Sequence, residues 1–321
     1  MKKNVFEQIR QTCKEVSVNA DYVNIKYNNI LQYAKSLPIK EIINPGLDEK
    51  FHYIGHGIDT LAFLIILDTI NFGSGYFPYL EKIPGKSGYF TIAGHLKDFF
   101  LNKGSIPASL LADITVEELM HIFHQDFSNR VIIELIEHFT KALNDLGNFL
   151  INNFNGDYEG LIKSSDKSAE KLINLLTKMP YYNDRSKYKG LDIYFFKRAQ
   201  ILVADLNLAF SGKGYGFFKD IEKMTIFADN LVPHVLKLDG ILSFDKSLES
   251  RIIKEELIDW GSGEEIEIRA SALHAVELIK TELNNYGYKI SSGMLDNFLW
   301  NKGQKPYYKA VPRHRTRCVF Y

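Results

Sequence analysis

The chain has 321 residues, enough for one large core or two closely packed domains. Lys plus Arg and Asp plus Glu both total 39, a balance that argues against a dedicated binder of duplex nucleic acid, whose phosphate contacts need clustered positive charge. Hydrophobic residues at 45% and charged residues at 24% exclude a disordered chain.

In chain order, most segments read at helical period. Asn4 to about Leu37 reads as one or two amphipathic helices with Val16, Val18, Val23 and Ile25 inward, stopped by Pro38. Ile58 to Ile70 is apolar on nearly all faces and is predicted as a buried helix, ending in a glycine-rich loop from Asn71 to Pro78. Asp68 in that helix needs a local partner, because an unpaired buried carboxylate is costly. Thr115-Val116-Glu117-Glu118 reads as a capping box. Further helices are predicted over Val131–Phe154, Ser168–Met179, Tyr194–Phe210, Asp229–Leu238, Leu248–Trp260, Glu264–Leu283 and Met294–Lys302. Only Ile241–Phe244 and Cys318–Tyr321 tempt a strand assignment. The expectation is a mainly α fold, a single compact helical domain spanning 1–321.

The two cysteines, Cys13 and Cys318, form no disulfide framework, and the nine histidines show no ligand spacing, so no metal and no cofactor are expected. The N-terminus turns polar at once, and the longest apolar stretch, Leu61 to Leu67, is too short to span a bilayer. A cytoplasmic protein without a membrane partner is the expectation.

Several polar groups could carry chemistry. Lys197 and Asp205 share one helix face, as a solvated charge pair or as part of a site. Asp229 stands where a helix cap is wanted, and a carboxylate there can also oppose positive charge developing on a sugar. Glu264-Glu265-Ile266-Glu267-Ile268-Arg269 reads as a solvated, acidic helix start, with inward Glu267 or Arg269 the minority reading. Asp296 and Trp300 lie at i and i+4, on one face, suited either to an aromatic base or to an ordinary amphipathic helix. The tail offers Arg313, Arg315 and Arg317, whose forks suit phosphate, but a basic surface is the bland alternative.

Six stretches in order resemble the queuosine salvage family, the queuosine 5′-phosphate N-glycosylase/hydrolases. They are Leu67–Phe72, Arg198–Asp205, Phe227-Ala228-Asp229 with Val232-Pro233, Glu265–Ala270, Asp296 with Leu299-Trp300, and His314–Arg317 ending in Phe320-Tyr321. The resemblance implies hydrolysis of queuosine 5′-monophosphate to queuine and ribose 5-phosphate, and a fold similar to the helix-hairpin-helix DNA glycosylases. It implies Asp229 as the carboxylate that stabilises an oxocarbenium ion or orients water, and Asp296 as an acceptor for the base. Phe227, Asn297, Trp300, Asn301 and His52 are the implied substrate contacts, with Lys197, Arg198 and Arg315 for the 5′-phosphate. Members often carry an acid just after the Leu-Trp pair. Asn301 stands there instead and cannot act as a nucleophile or base, which shifts the weight to Asp229. The partner is then a small nucleotide, with no direct nucleic-acid contact. A nucleic-acid base glycosylase and a non-catalytic binder of a modified base are the rival readings.

Overall fold

The computed structural model describes residues 4–321. It is mainly helical, 59% helix against 5% strand, as the apolar periodicity predicts. The chain forms two compact units. The first comprises the described residues up to Pro45, Asp184–Lys197 and Asp220–Arg317; the second comprises Gly46–Asn183, Arg198–Lys219 and Cys318–Tyr321.

The first unit is organised by the helix Gly263–Asn285, capped by the Ser262 hydroxyl, which accepts the Glu265 N–H. The helix Val5–Val18 packs along it. Asn19 ends that helix, so Val18 is exposed rather than inward. Val23–Ile25, predicted as helix, is instead a strand paired antiparallel with Leu242–Phe244, with Val23 opposite Phe244. The Val-Asn-Ile alternation buries both apolar residues on one face, a period a helix cannot serve. A hairpin pairs Arg185–Tyr188 with Leu191–Tyr194. Its turn residues Lys189 and Gly190 both have positive φ (46° and 84°), the geometry of a tight two-residue hairpin loop.

The helices Leu231–Leu238 and Ser292–Gly303 meet where no side chain fits. A Cβ at Gly303 would lie 2.8 Å from Leu231 Cγ and 3.0 Å from Val235 Cγ2. This close approach sets one carboxylate-bearing helix against the helix that follows another. The predicted Leu248–Trp260 helix is shorter, Lys246–Ile253; Glu255 beyond it takes positive φ, 57°, which ends helical propagation.

In the second unit, Ile58–Thr69 is buried along nearly its whole length, as expected. Asp68 finds the Asn71 amide at 3.3 Å. The Thr115–Glu118 capping box forms in full. The 25-residue helix Arg130–Phe154 turns its apolar stripe inward. A helix absent from the sequence reading runs Gly88–Lys103, begun by the Ser87 hydroxyl accepting the Phe90 N–H; its Gly88 and Gly94 disguised it. Cys318–Tyr321 is not a strand, although the Tyr321 carbonyl accepts the Gly73 N–H (3.0 Å). No helix among the described residues is long and apolar enough to cross a membrane.

Candidate active site

The segment Thr225–Asn230 is buried and feeds the helix Leu231–Leu238. Asn230 holds the cap position by backbone but makes no side-chain cap bond. Asp229, one residue earlier, does that work: its Oδ1 accepts the N–H groups of Leu231 (2.8 Å) and Val232 (3.2 Å). Two amides at the positive end of a helix thus orient this carboxylate. Pro233, lacking an N–H, removes a donor that the first turn could not use.

Asp296 comes from the helix Ser292–Gly303 and is 4% exposed. Its Oδ1 accepts the Phe227 N–H at 2.8 Å, tying it to the segment that carries Asp229. Burial pushes the Asp296 pKa well above the ordinary carboxylate range, and the negative charge of Asp229 pushes it further. The Phe227 hydrogen bond and the Lys197 charge pull it back only in part. The neutral carboxyl this favours can donate as well as accept, which widens the acceptor role the family resemblance implies. Trp300 and Asn297, on the same helix, are half-buried. Asn301 is exposed and turns its amide back to the Asn297 carbonyl (2.9 Å) and side chain (3.2 Å).

Lys197 is buried and opens the helix Lys197–Ala209. Its N–H donates to Asp184 Oδ2 at 3.3 Å. Asp184 also receives Arg269 through two guanidinium nitrogens, Nη1 to Oδ1 (3.1 Å) and Nη2 to Oδ2 (2.6 Å). Arg269 donates further to Glu265 Oε1 (3.3 Å) and, through Nε, to the Ala228 carbonyl (2.9 Å). The predicted solvated start of this helix is therefore wrong: Glu265, Glu267 and Arg269 are each fully buried. Glu267 holds the chain at Tyr22 and Val23 through their N–H groups and accepts the Tyr188 hydroxyl. Charge pattern alone could not show this, because alternating charges fit a solvated face equally well.

Of the three tail arginines, Arg313 has a charge that interacts with Asp229. Burial lowers the Arg313 pKa, and the charge of Asp229 opposes that shift. His314 beside it is buried, and desolvation with nearby Arg313 and Arg269 lowers its pKa to about 3, so its ring is neutral. His234 is likewise lowered by burial, with its Nε2 2.8 Å from the Tyr308 carbonyl. From Arg313 to Arg317 the buried His314 and Thr316 alternate with the arginines, which puts all three arginines on the other face of an extended segment. Arg315 donates to the Glu255 carbonyl (2.6 Å), and its own carbonyl accepts the Ile258 N–H.

Two sequence candidates belong to the second unit. Arg198 is 2% exposed and donates to the carbonyls of Thr69, Tyr181 and Val319, between the rings of Phe72 and Tyr182. That guanidinium satisfies main-chain acceptors instead of offering its forks to a ligand. His52 is buried, with Nδ1 2.8 Å from the Asp48 carbonyl and Nε2 2.8 Å from the Tyr89 hydroxyl. Desolvation lowers its pKa. The first unit thus links Asp229, Asp296, Phe227 and Lys197 by hydrogen bonds or direct electrostatics, with Asn297, Trp300 and Asn301 on the Asp296 helix. Among the described residues no group of three His, Cys, Asp or Glu is arranged to hold a metal.

A family model described as queuosine salvage protein matches residues 51–321. A queuosine 5′-phosphate N-glycosylase/hydrolase from Sphaerobacter thermophilus is 33% identical, over 97% of this chain and 96% of its own. The proteins of that name from Bos taurus (33%; 97% and 98%) and Dictyostelium discoideum (31%; 96% and 94%) are similar over comparable spans.

Proposed function

This chain belongs to the queuosine salvage protein family, and from that premise we propose that it hydrolyses queuosine 5′-monophosphate to queuine and ribose 5-phosphate. Water adds to ribose C1′, the C1′–N bond breaks with its electron pair passing to the base, and the departing base nitrogen gains a proton. The observation that carries the reading is the carboxyl pair of the first unit: Asp296 is tied by its Oδ1 to the Phe227 N–H, two residues before Asp229, and its pKa is raised by burial and by the nearby Asp229 carboxylate. A carboxyl whose pKa is raised beside a second carboxyl is a common means of dividing roles at one site.

Asp229 opposes the positive charge that develops on the sugar. Its two amide bonds hold it in place, so little reorganisation is needed as that charge appears. Asp296 hydrogen-bonds the base, with Trp300, Asn297 and Phe227 beside it. This division suits a 7-deazapurine, which lacks the ring nitrogen that purine nucleosidases protonate. The enzyme must then rely on sugar-side electrostatics and on contacts elsewhere on the base. Lys197, Arg313 and Arg315 are the candidate cations for the 5′-phosphate; Arg198 is left out because carbonyls occupy it. Phosphate binding supplies remote energy for distorting the sugar. A relationship to the helix-hairpin-helix glycosylases is part of the same proposal, supported by the mainly helical fold and the helix-start aspartate.

The test is chromatographic release of queuine and ribose 5-phosphate from queuosine 5′-monophosphate. Tight binding without release establishes the non-catalytic binder instead. Dephosphorylated queuosine is expected to be the poorer substrate, and equal kcat/KM on both removes the phosphate assignment.

A further inference from the structure

We infer that Arg269 is a positioning residue that fixes Asp229 relative to Lys197; this rests on the reading that those two side chains serve the substrate. The guanidinium bonds a neighbour of each: the backbone before Asp229 and the carboxylate that accepts the Lys197 N–H. Its Nε holds the carbonyl of Ala228, one peptide from Asp229, at 2.9 Å. Its two terminal nitrogens grip Asp184 as a fork, at 3.1 and 2.6 Å. Asp184 in turn accepts the Lys197 N–H on Oδ2 at 3.3 Å, and its carbonyl accepts the Phe195 N–H at 3.2 Å. One planar group therefore connects the backbone before the carboxylate to the backbone that launches the cation.

Three features mark this as more than core filling. Arg269 is fully buried, and a buried ion pair is a poor source of stability, since apolar residues of similar volume commonly serve as well. The Phe195 ring lies 3.9 Å from the guanidinium, which fixes its plane. Phe196, just before Lys197, is held at φ 48°, a left-handed conformation a bulky residue adopts only when its surroundings impose it. Asp184 supplies that imposition from both sides of the turn. Glu265, by contrast, bonds Arg269 from one turn away on its own helix at 3.3 Å and is not in the line to Lys197.

The test compares Arg269→Lys, Asp184→Asn and Glu265→Gln in the full chain, at temperatures well below each variant's melting point. A lysine keeps the charge and loses the fork. Arg269→Lys is expected to lower kcat about 100-fold, the scale of a 1 Å misplacement, with KM changed less than about threefold. Asp184→Asn should cost about tenfold in kcat, and Glu265→Gln less than about twofold. Hydrogen exchange gives a readout independent of turnover. In Arg269→Lys, exchange should rise at the Leu231 and Val232 amides, which Asp229 accepts, and at the Lys197 amide. Unchanged exchange at these amides overturns the inference whether or not the enzyme turns over, as does equal loss of kcat in Asp184→Asn and Glu265→Gln. A silent wild type with the exchange changes present would instead overturn the proposed reaction and leave the positioning intact.

Discussion

Arg198 and Arg269 are both almost wholly buried, yet they hold different things. Arg198 donates to three main-chain carbonyls of the second unit. Arg269 donates to two carboxylates and to the carbonyl that precedes Asp229. In sequence the ranking is reversed: Arg198, beside Lys197, looks like a phosphate ligand, and Arg269 looks like part of a solvated helix start. A guanidinium that donates to main-chain acceptors of loop and helix ends closes a fold. One that joins two functional segments sets a geometry. Residue type and burial are the same in both, so only the partners separate them.

The largest expected effect defines the functional side of this contrast. Asp229→Asn should lower kcat on the order of 10³-fold while keeping the fold, because an amide oxygen can still accept the Leu231 and Val232 N–H groups. Near-normal turnover in a folded Asp229→Asn protein removes Asp229 from the mechanism, and with it the purpose assigned to Arg269. Arg198→Met probes the other side. It strands three carbonyls and should cost about 3–5 kcal/mol in denaturant unfolding, with kcat per folded molecule unchanged. A kcat loss without a stability loss would return Arg198 to the site and dissolve the contrast.

A smaller effect sharpens the electrostatics. The Asp296 pKa is raised in the folded state. Such a carboxyl stabilises the fold below its unfolded value, about 4, and that contribution is lost as pH rises through the raised folded value. Thermal melts should therefore show wild type losing stability relative to Asp296→Asn as pH rises from 4. Parallel curves for the two proteins would mean that Asp296 is not held neutral. Smallest of all is Asn301→Asp. Asn301 is exposed and bonded back to Asn297, so an acid at this position should change kcat less than about twofold and stability by less than about 0.5 kcal/mol. A large gain in kcat would show that the exposed position takes part after all.

Much of this protein was legible in the sequence. Helical periodicity located Ile58–Thr69, Arg130–Phe154 and Leu231–Leu238, and spacing put Asp296 and Trp300 on one face. The ordered motifs carried the family, since each holds a local pattern that survives without knowledge of contacts. The strand Val23–Ile25 was not legible, because its partner Leu242–Phe244 lies more than two hundred residues away and three residues carry little period of their own. Nor was the Arg269 network: Asp184, Ala228 and Arg269 come from three distant segments, and charges arranged for solvent read the same as charges arranged for each other. Local hydrogen bonding and apolar period are properties of neighbouring residues, so the sequence by itself determined the helices and the family. How far burial raises a carboxyl's pKa, and which groups a buried arginine meets, depend on desolvation and on partners brought from afar, and only the tertiary structure decided them.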